Sequence, residues 1–321
     1  MNFVFLMDPL SSVIMEKDTS FALMLGAQER GHAVFFVTDG GVNLLNGKIY
    51  FQAQSIVAQK VPEQPFIRQR ALELPAEEVN AVFVRSDPPF DYQYLLNTWL
   101  LDRLPSWIPA INSPAGLRSV NEKLWLTQFP SLTPRTLISR NRQDIIIFFN
   151  AEKKMIAKPT DNYGGFAVFL VEHNDPNANV ILETLTAGWT REIIVQQYVP
   201  EARKGDKRIL ILDGEPLGAV LRVHAPDDHR NNFFSGGKPH ACDITARDRE
   251  IISVLRPHLA RLGLYFVGID ILGDYLTEVN VTSPTCLQEM NRLYDLKLEL
   301  KVIEFAERLV DRLRRESTIK A

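Results

Sequence analysis

The chain has 321 residues, 45% of them hydrophobic and 23% charged, with a net charge of −3. That is the mix of a globular protein of two or three domains, and it excludes disorder, collagen and coiled-coil fibre. The charge is too near neutral for a protein held to nucleic acid or to a membrane surface by its field. The two cysteines, Cys242 and Cys286, make no CxxC spacing and no disulfide framework, so reduced thiols and a cytoplasmic setting are expected. Apolar runs such as residues 145–149 are far shorter than the roughly 20 residues of a membrane span. Residues 1–9 read as a strand rather than a signal peptide, because Asp8 cuts the apolar stretch and no basic residue precedes it.

In chain order, residues 2–7 predict a buried strand. Asp18 is placed as the N-cap of a helix whose Phe21, Met24, Leu25 and Gln28 keep helical spacing up to Gly31. Residues 33–38 predict a second strand, giving a parallel unit with a right-handed crossover. Residues 47–60 read as a polar hairpin insertion. A short strand at 81–85 runs into Ser86-Asp87-Pro88-Pro89-Phe90-Asp91, then a helix to about 103 and a strand at 108–111 follow. The first 120 residues are thus expected to be an open α/β domain.

The texture changes after Pro114. A short helix opening at Asn121-Glu122-Lys123 and stopping at Phe129-Pro130 is expected. Strands at 135–139, 155–158, 166–171 and 193–197 alternate with helices at 142–150 and 177–187. Strands at 208–212 and 217–223 flank the hairpin signal Asp213-Gly214-Glu215. Residues 224–240 are polar, carry Gly236-Gly237 and are too long for a plain connection, which suggests a functional loop. A helix at 246–262, strands at 265–272 and 276–281, and one long helix at 293–314 complete the pattern.

Common signatures are missing. There is no GxxxxGK[ST], GxGxxG, HExxH, GxSxG or EF-hand loop, which removes P-loop kinases, dinucleotide dehydrogenases and the common hydrolases. The six histidines are scattered and read as surface or capping residues.

The acidic residues of the last two strands carry more. Asp270, Glu278 and Asn280 are oxygen donors in otherwise apolar strands joined at Gly273-Asp274. A three-residue turn would pair 270 with 278, and alternation would add 280 to the same face. A two-residue turn would shift the register and split them. Three such oxygens suit Mg²⁺, which fills its octahedron with water and phosphate. Lys158 ends an apolar strand before the loop that holds Gly164 and Gly165, an arrangement able to hold phosphates; a snorkelling lysine is the competing reading. Gln196, Gln197, Tyr198 and Val199 end the next strand and are placed either against a base or as a domain link. Arg208 and Arg222 sit at strand mouths, where arginines meet carboxylate or phosphate; surface ion pairs with Asp206 or Glu215 are the alternative.

Lys123, Lys158 with its Gly-Gly loop, Arg208 and the set Asp270, Glu278 and Asn280 occur in an order that resembles the ATP-grasp carboxylate–amine ligases. Within them, Met7-Asp8-Pro9, the segment 17–22, Arg85-Ser86-Asp87-Pro88-Pro89-Phe90-Asp91, Asn121-Glu122-Lys123 and the segment 277–286 resemble the bacterial-type glutathione synthetases over essentially the whole chain. The resemblance implies a mixed α/β and α+β chain with the ATP-grasp fold. An N-terminal open parallel α/β (pre-ATP-grasp) domain would span 1–120, a central ATP-binding lid 121–203, and a C-terminal antiparallel-sheet domain holding the metals 204–321. It implies an ATP-dependent ligase that joins γ-glutamylcysteine and glycine through an acyl phosphate.

The same resemblance implies roles. Arg208 would stabilise the transition state. Lys123, Lys158, Gly164, Gly165, Gln196, Gln197, Tyr198, Val199 and Asp206 would bind ATP. Arg222, Asn232, Ser283 and Thr285 would bind substrate, and Asp270, Glu278 and Asn280 would hold Mg²⁺, two ions, with Mn²⁺ as a substitute. It also implies a homo-oligomer, dimer or tetramer, with no nucleic-acid or membrane partner. Tyr163 is bulkier, and the 224–238 stretch less glycine-rich, than the resemblance leads one to expect, so altered lid closure is anticipated. Other ATP-grasp ligases, a non-catalytic ATP-binding module and a redox role for Cys286 are the competing functions.

Overall fold

The computed structural model describes residues 1–162, 164–224 and 236–320, the side chain of residue 320 excepted. The readings of Tyr163, Asn232 and the stretch 225–235 therefore lie outside the described residues. Among the described residues the strands form three sheets.

The first sheet has at its heart β1 (Asn2–Leu6), flanked in parallel by β2 (Ala33–Val37) and β6 (Ala81–Val84). These strands are apolar on both faces, as parallel strands covered by helices must be. β3 (Val42–Leu45), β4 (Lys48–Ala58) and β5 (Phe66–Pro75) extend it in antiparallel fashion beside β2, and β7 (Ala110–Ile111) adds a parallel edge to β6. The expected polar insertion at 47–60 is thus an integral strand. Ile49, Phe51 and Ala53 face one core, while Ile56 and Ala58, on the opposite face, enter the other. Burial that changes face along one strand blurs period-two patterning in the sequence.

Helix α1 (Thr19–Glu29) starts where Asp18 accepts the amide of Phe21, as expected of that cap, and α2 (Tyr92–Leu101) starts at Asp91 in the same way. α3 (Pro114–Ser119) follows β7. Residues 121–129 hold a single 3-10 turn, Trp125–Gln128, in place of the expected helix. Asn121 takes the amides of Lys123 and Leu124, which fixes the turn's entry.

The second sheet is β8 (Thr136–Ser139), β9 (Lys154–Pro159), β10 (Phe169–Glu172) and β11 (Ile193–Gln197), all antiparallel, in the order β10-β9-β11-β8. α4 (Arg142–Glu152) and α5 (Ala178–Leu185) cover it with a separate small core around Ile145, Phe148 and Leu182. The third sheet is also antiparallel. It orders β12 (Asp206–Leu212), β13 (Glu215–Val223), β14 (Lys238–His240), β15 (Phe266–Leu272) and β16 (Tyr275–Asn280) as β14-β13-β12-β15-β16. α6 (Ala246–Leu262), closed by the Thr245 capping box, packs against it.

The C-terminal helix expected at 293–314 is two helices, α7 (Leu287–Tyr294) and α8 (Leu298–Lys320). Asp295 turns left-handed between them, and Asn291 caps the restart by accepting the amide of Leu298. α8 then lays Val302, Ile303, Phe305 and Leu309 into the core that holds Phe3, Phe5 and Phe83 of the first sheet. The last helix therefore ties the two ends of the chain together.

Candidate active site

Register in the third sheet builds a charged square. Asp206 and Arg208 lie two apart on central β12, so they share a face. Asp206 stands opposite Arg222 on β13, and Arg208 stands opposite Asp270 on β15. Arg208 donates to both oxygens of Asp270, through Nε and through Nη2 at 2.7 Å. Arg222 donates Nε and Nη2 to Asp206 at 2.7 and 2.6 Å, and Nη2 also reaches Asp270 at 2.9 Å. Both arginines and Asp270 are buried, so these are not the surface pairs weighed as the alternative. Burial pushes the Asp270 carboxyl up, but the two guanidiniums outweigh it and hold it well below the usual carboxylate range. At Asp206 burial wins over Arg222, and its carboxyl is raised.

The β15–β16 hairpin settles the question of register in an unexpected way. The turn has two residues, with Leu272 facing Tyr275, yet Asp270 still faces Glu278. A bulge between the two pairs absorbs Thr277, whose hydroxyl donates to the Asp270 carbonyl at 3.0 Å. Asn280 follows on the same face, opposite Gly268, and donates its amide N–H to that carbonyl at 3.4 Å, leaving its oxygen as an acceptor.

This donor set fits a divalent ion. A carboxylate offers about four lone-pair positions, and three guanidinium contacts leave Asp270 about one. Among the described residues Glu278 has only Lys123, at 3.5 Å, as an ion-pair partner. Among the described residues no cluster of three His, Cys, Asp or Glu side chains forms a closed metal cage. The set is therefore an open one, of two carboxylates and one amide, that substrate oxygens would complete.

Two lysines face these acids. The Lys123 ammonium contacts Glu122, lies 3.5 Å from Glu278 and donates to the Asn162 carbonyl at 2.6 Å, which tethers the chain leading to Gly164 and Gly165. Burial alone would lower its pKa, but Glu278 and Glu122 raise it. Lys158, at the end of β9, is buried and donates to the Gln196 side chain at 3.3 Å. Burial pushes its pKa down to about 8, only partly opposed by Glu278. Gln196 in turn donates to Thr136, so its side chain is committed within the second sheet. Gln197 pairs its amide with the Arg135 carbonyl, and Lys154 covers the Tyr198 ring.

A cleft of about 240 Å³ opens between the second and third sheets. Lys158, Gly164, Gly165, Gln196, Gln197, Tyr198, Val199, Asp206, Arg208, Arg222, Asp270, Glu278, Ser283 and Thr285 all line it. Lys123 and Asn280 do not line it. Asp87, Pro88 and Thr277 line it too, although their residue types give them no role, and so does Cys286, for which a redox role is the competing expectation. The hydroxyl of Ser283 donates to Asp87, a contact spanning almost 200 residues that no local pattern could have flagged. Cys286 is buried and left-handed at the start of α7, and burial pushes its thiol up, away from a reactive thiolate.

The fold is the ATP-grasp fold. D-cycloserine synthetase matches over 97% of this chain and 99% of its own with a TM-score of 0.66 at 16% identity. A macrocyclase bound with precursor peptide from Microcystis aeruginosa matches over 97% and 100% with 0.64 at 17%. At that identity the likeness concerns the fold alone. The family is fixed by sequence. The prokaryotic glutathione synthetase N-terminal domain matches residues 1–118, and the prokaryotic glutathione synthetase ATP-grasp domain matches residues 122–295. The glutathione synthetase of Vibrio parahaemolyticus is 39% identical over 95% of this chain and 97% of its own; that of Pseudomonas putida is 40% identical over 94% and 96%. The chain belongs to the prokaryotic glutathione synthetase family.

Proposed function

We propose that the chain joins γ-glutamylcysteine and glycine, converting ATP to ADP and phosphate and releasing glutathione. The observation that carries this reading is the single face of the third sheet on which Arg208, Arg222, Asp270 and Glu278 converge, opposite Lys158 across the cleft. Two anions, a carboxylate and a triphosphate, must meet there, and that face supplies the cations to bring them together. Lys123 and Lys158, with the amides around Gly164 and Gly165, hold the phosphates, and the Gln196–Val199 strand end with Asp206 takes the rest of the nucleotide. The cysteinyl carboxylate attacks the γ-phosphate to give an acyl phosphate. The amine of glycine then displaces phosphate, and Arg208 stabilises the oxyanion that develops. Arg222, Asn232, Ser283 and Thr285 bind the substrates.

Asp270, Glu278 and Asn280 would hold Mg²⁺, two ions, with Mn²⁺ as a substitute. Bound there, the metal would offset charge on the β- and γ-phosphates. The three sheets support a division into 1–120, 121–203 and 204–321, with the cleft between the second and third parts. Two free cysteines and the absence, among the described residues, of a helix long and apolar enough to cross a membrane are compatible with a cytoplasmic enzyme. A dimer or tetramer is the assembly the family resemblance implies, and light scattering reads it directly. Phosphate release with ATP, γ-glutamylcysteine and glycine, against other acid–amine pairs, tests the reaction. Release only with another pair would assign a different ligase, and no release with any pair a nucleotide-binding module.

A further inference from the structure

Arg85, at the end of β6, is a buried cation without a counter-ion. No carboxylate lies within 4 Å of it among the described residues. Its Nε donates to the Ser20 hydroxyl and its Nη2 to the Pro284 carbonyl, both at 3.0 Å, and Nη1 has no partner. Burial pushes its pKa down, although Asp18 and Asp87 stand near enough to oppose this. Asp18 is spent on capping α1, and Asp87 accepts from Ser283. The hydroxyls of Thr19 and Tyr94, in the segments that surround the guanidinium, are also buried and unpartnered. Burying a charge and several donors without partners is costly, and such a cluster is more cheaply explained by a missing anion than by packing.

The cluster sits at the right distance from the chemistry. A Cβ placed on Gly268 would meet Pro284 Cβ at 3.1 Å on one side and Arg208 Cδ at 3.2 Å on the other. Pro284, whose carbonyl Arg85 holds, and Arg208 therefore stand on either side of the same glycine. The neighbouring residues Asp87, Ser283 and Thr285 line the cleft. In γ-glutamylcysteine the glutamyl α-carboxylate lies about 8 Å from the reacting carboxylate when extended.

We propose that Arg85, with the hydroxyls of Thr19 and Ser20, binds the glutamyl α-carboxylate of γ-glutamylcysteine, so that the dipeptide spans from this recess to Arg208. This rests on the ligase reading above and assigns it a specificity pocket. The carboxylate enters by parting the contact between Ser283 and Asp87. Ser20 accepts from Arg85 and is left with its own proton to donate.

The test compares γ-glutamylcysteine with 4-aminobutanoyl-cysteine, which keeps the chain and the reacting carboxylate but lacks the α-carboxylate. The intact enzyme is expected to disfavour the analogue by about a hundredfold or more in kcat/KM, because it leaves the buried donors unpaired. In Arg85→Gln that ratio is expected to fall below about threefold, with the loss on the natural substrate falling on its KM and not on the KM for glycine or ATP. Arg85→Lys is expected to recover part of the discrimination. An intact enzyme that uses both substrates within threefold overturns the proposal without any variant having to fold, and leaves the ligase reading standing. Equal losses on both substrates in Arg85→Gln also overturn it, by assigning the residue a structural role. An intact enzyme that releases no phosphate with γ-glutamylcysteine and glycine overturns both readings.

Discussion

Asp270 and Glu278 face each other across a hairpin whose turn has only Gly273 and Asp274, because Thr277 is bulged out between them. Register is parity: one residue more or less moves every later side chain to the other face. Deleting Val279, which lies between Glu278 and Asn280 in the regular part of the ladder, should therefore carry Asn280 to the face opposite Asp270 and Glu278 and lower turnover at least about a hundredfold. Thr277→Ala keeps the residue count and should cost less than about tenfold. Phosphate release by the two variants separates register from the loss of one hydroxyl.

Arg208 and Glu278 are assigned charge contacts in the transition state. Arg208→Ala and Glu278→Ala should each lower kcat by at least about a hundredfold, the scale for losing such a contact. Near-normal rates in either variant would remove its assigned role.

Chelation should separate activity from stability. Arg208 and Arg222 already neutralise Asp270, so the fold does not depend on a metal at this carboxylate. EDTA should stop phosphate release while moving the melting temperature of the nucleotide-free protein by less than about 1 °C, against the ~1.5 °C that 1 kcal/mol produces in a chain of this length. Mg²⁺ should restore the rate.

Lys158 gives a pH signature. Its folded pKa of about 8 lies below the ordinary value of 10.5, chiefly through burial. The phosphate-holding charge of the free enzyme should fade as pH rises through about 8, and kcat/KM for ATP should fall with it. The stability effect has the opposite sign. Between about 8 and 10.5 the unfolded chain binds the extra proton, so this lysine makes the folded state more stable as pH rises. Lys158→Met should flatten the alkaline fall in kcat/KM, read from initial rates at limiting ATP.

Gly116 tests the packing that sets the first and third parts against each other. A Cβ there would stand 2.3 Å from the Leu262 carbonyl, which is backbone at the end of α6 and cannot swing aside. Gly116→Ala should destabilise by about 1–3 kcal/mol, the usual cost of overpacking. Urea unfolding measures it.

Much of this was legible in the residues themselves. The cap at Asp18 and the span of α6 follow from local chemistry, and the strand-end residues Lys158, Arg208 and Arg222, singled out by their position, line one cleft. What escaped depends on distant partners or on parity. The change of buried face along β4 and the bulge at Thr277 break period-two patterning. The break between α7 and α8 rests on Asp295 turning left-handed, inside a stretch whose apolar spacing reads straight through. The pairing of Ser283 with Asp87, and the isolation of Arg85, arise only when segments almost 200 residues apart are folded together.

The most direct measurement is phosphate release by the purified protein with ATP, Mg²⁺, γ-glutamylcysteine and glycine, with glutathione followed in parallel. Stoichiometric phosphate and glutathione, both absent when either γ-glutamylcysteine or glycine is omitted, are the predicted result. No glutathione from these substrates, with phosphate released instead from a different acid and amine, would contradict it.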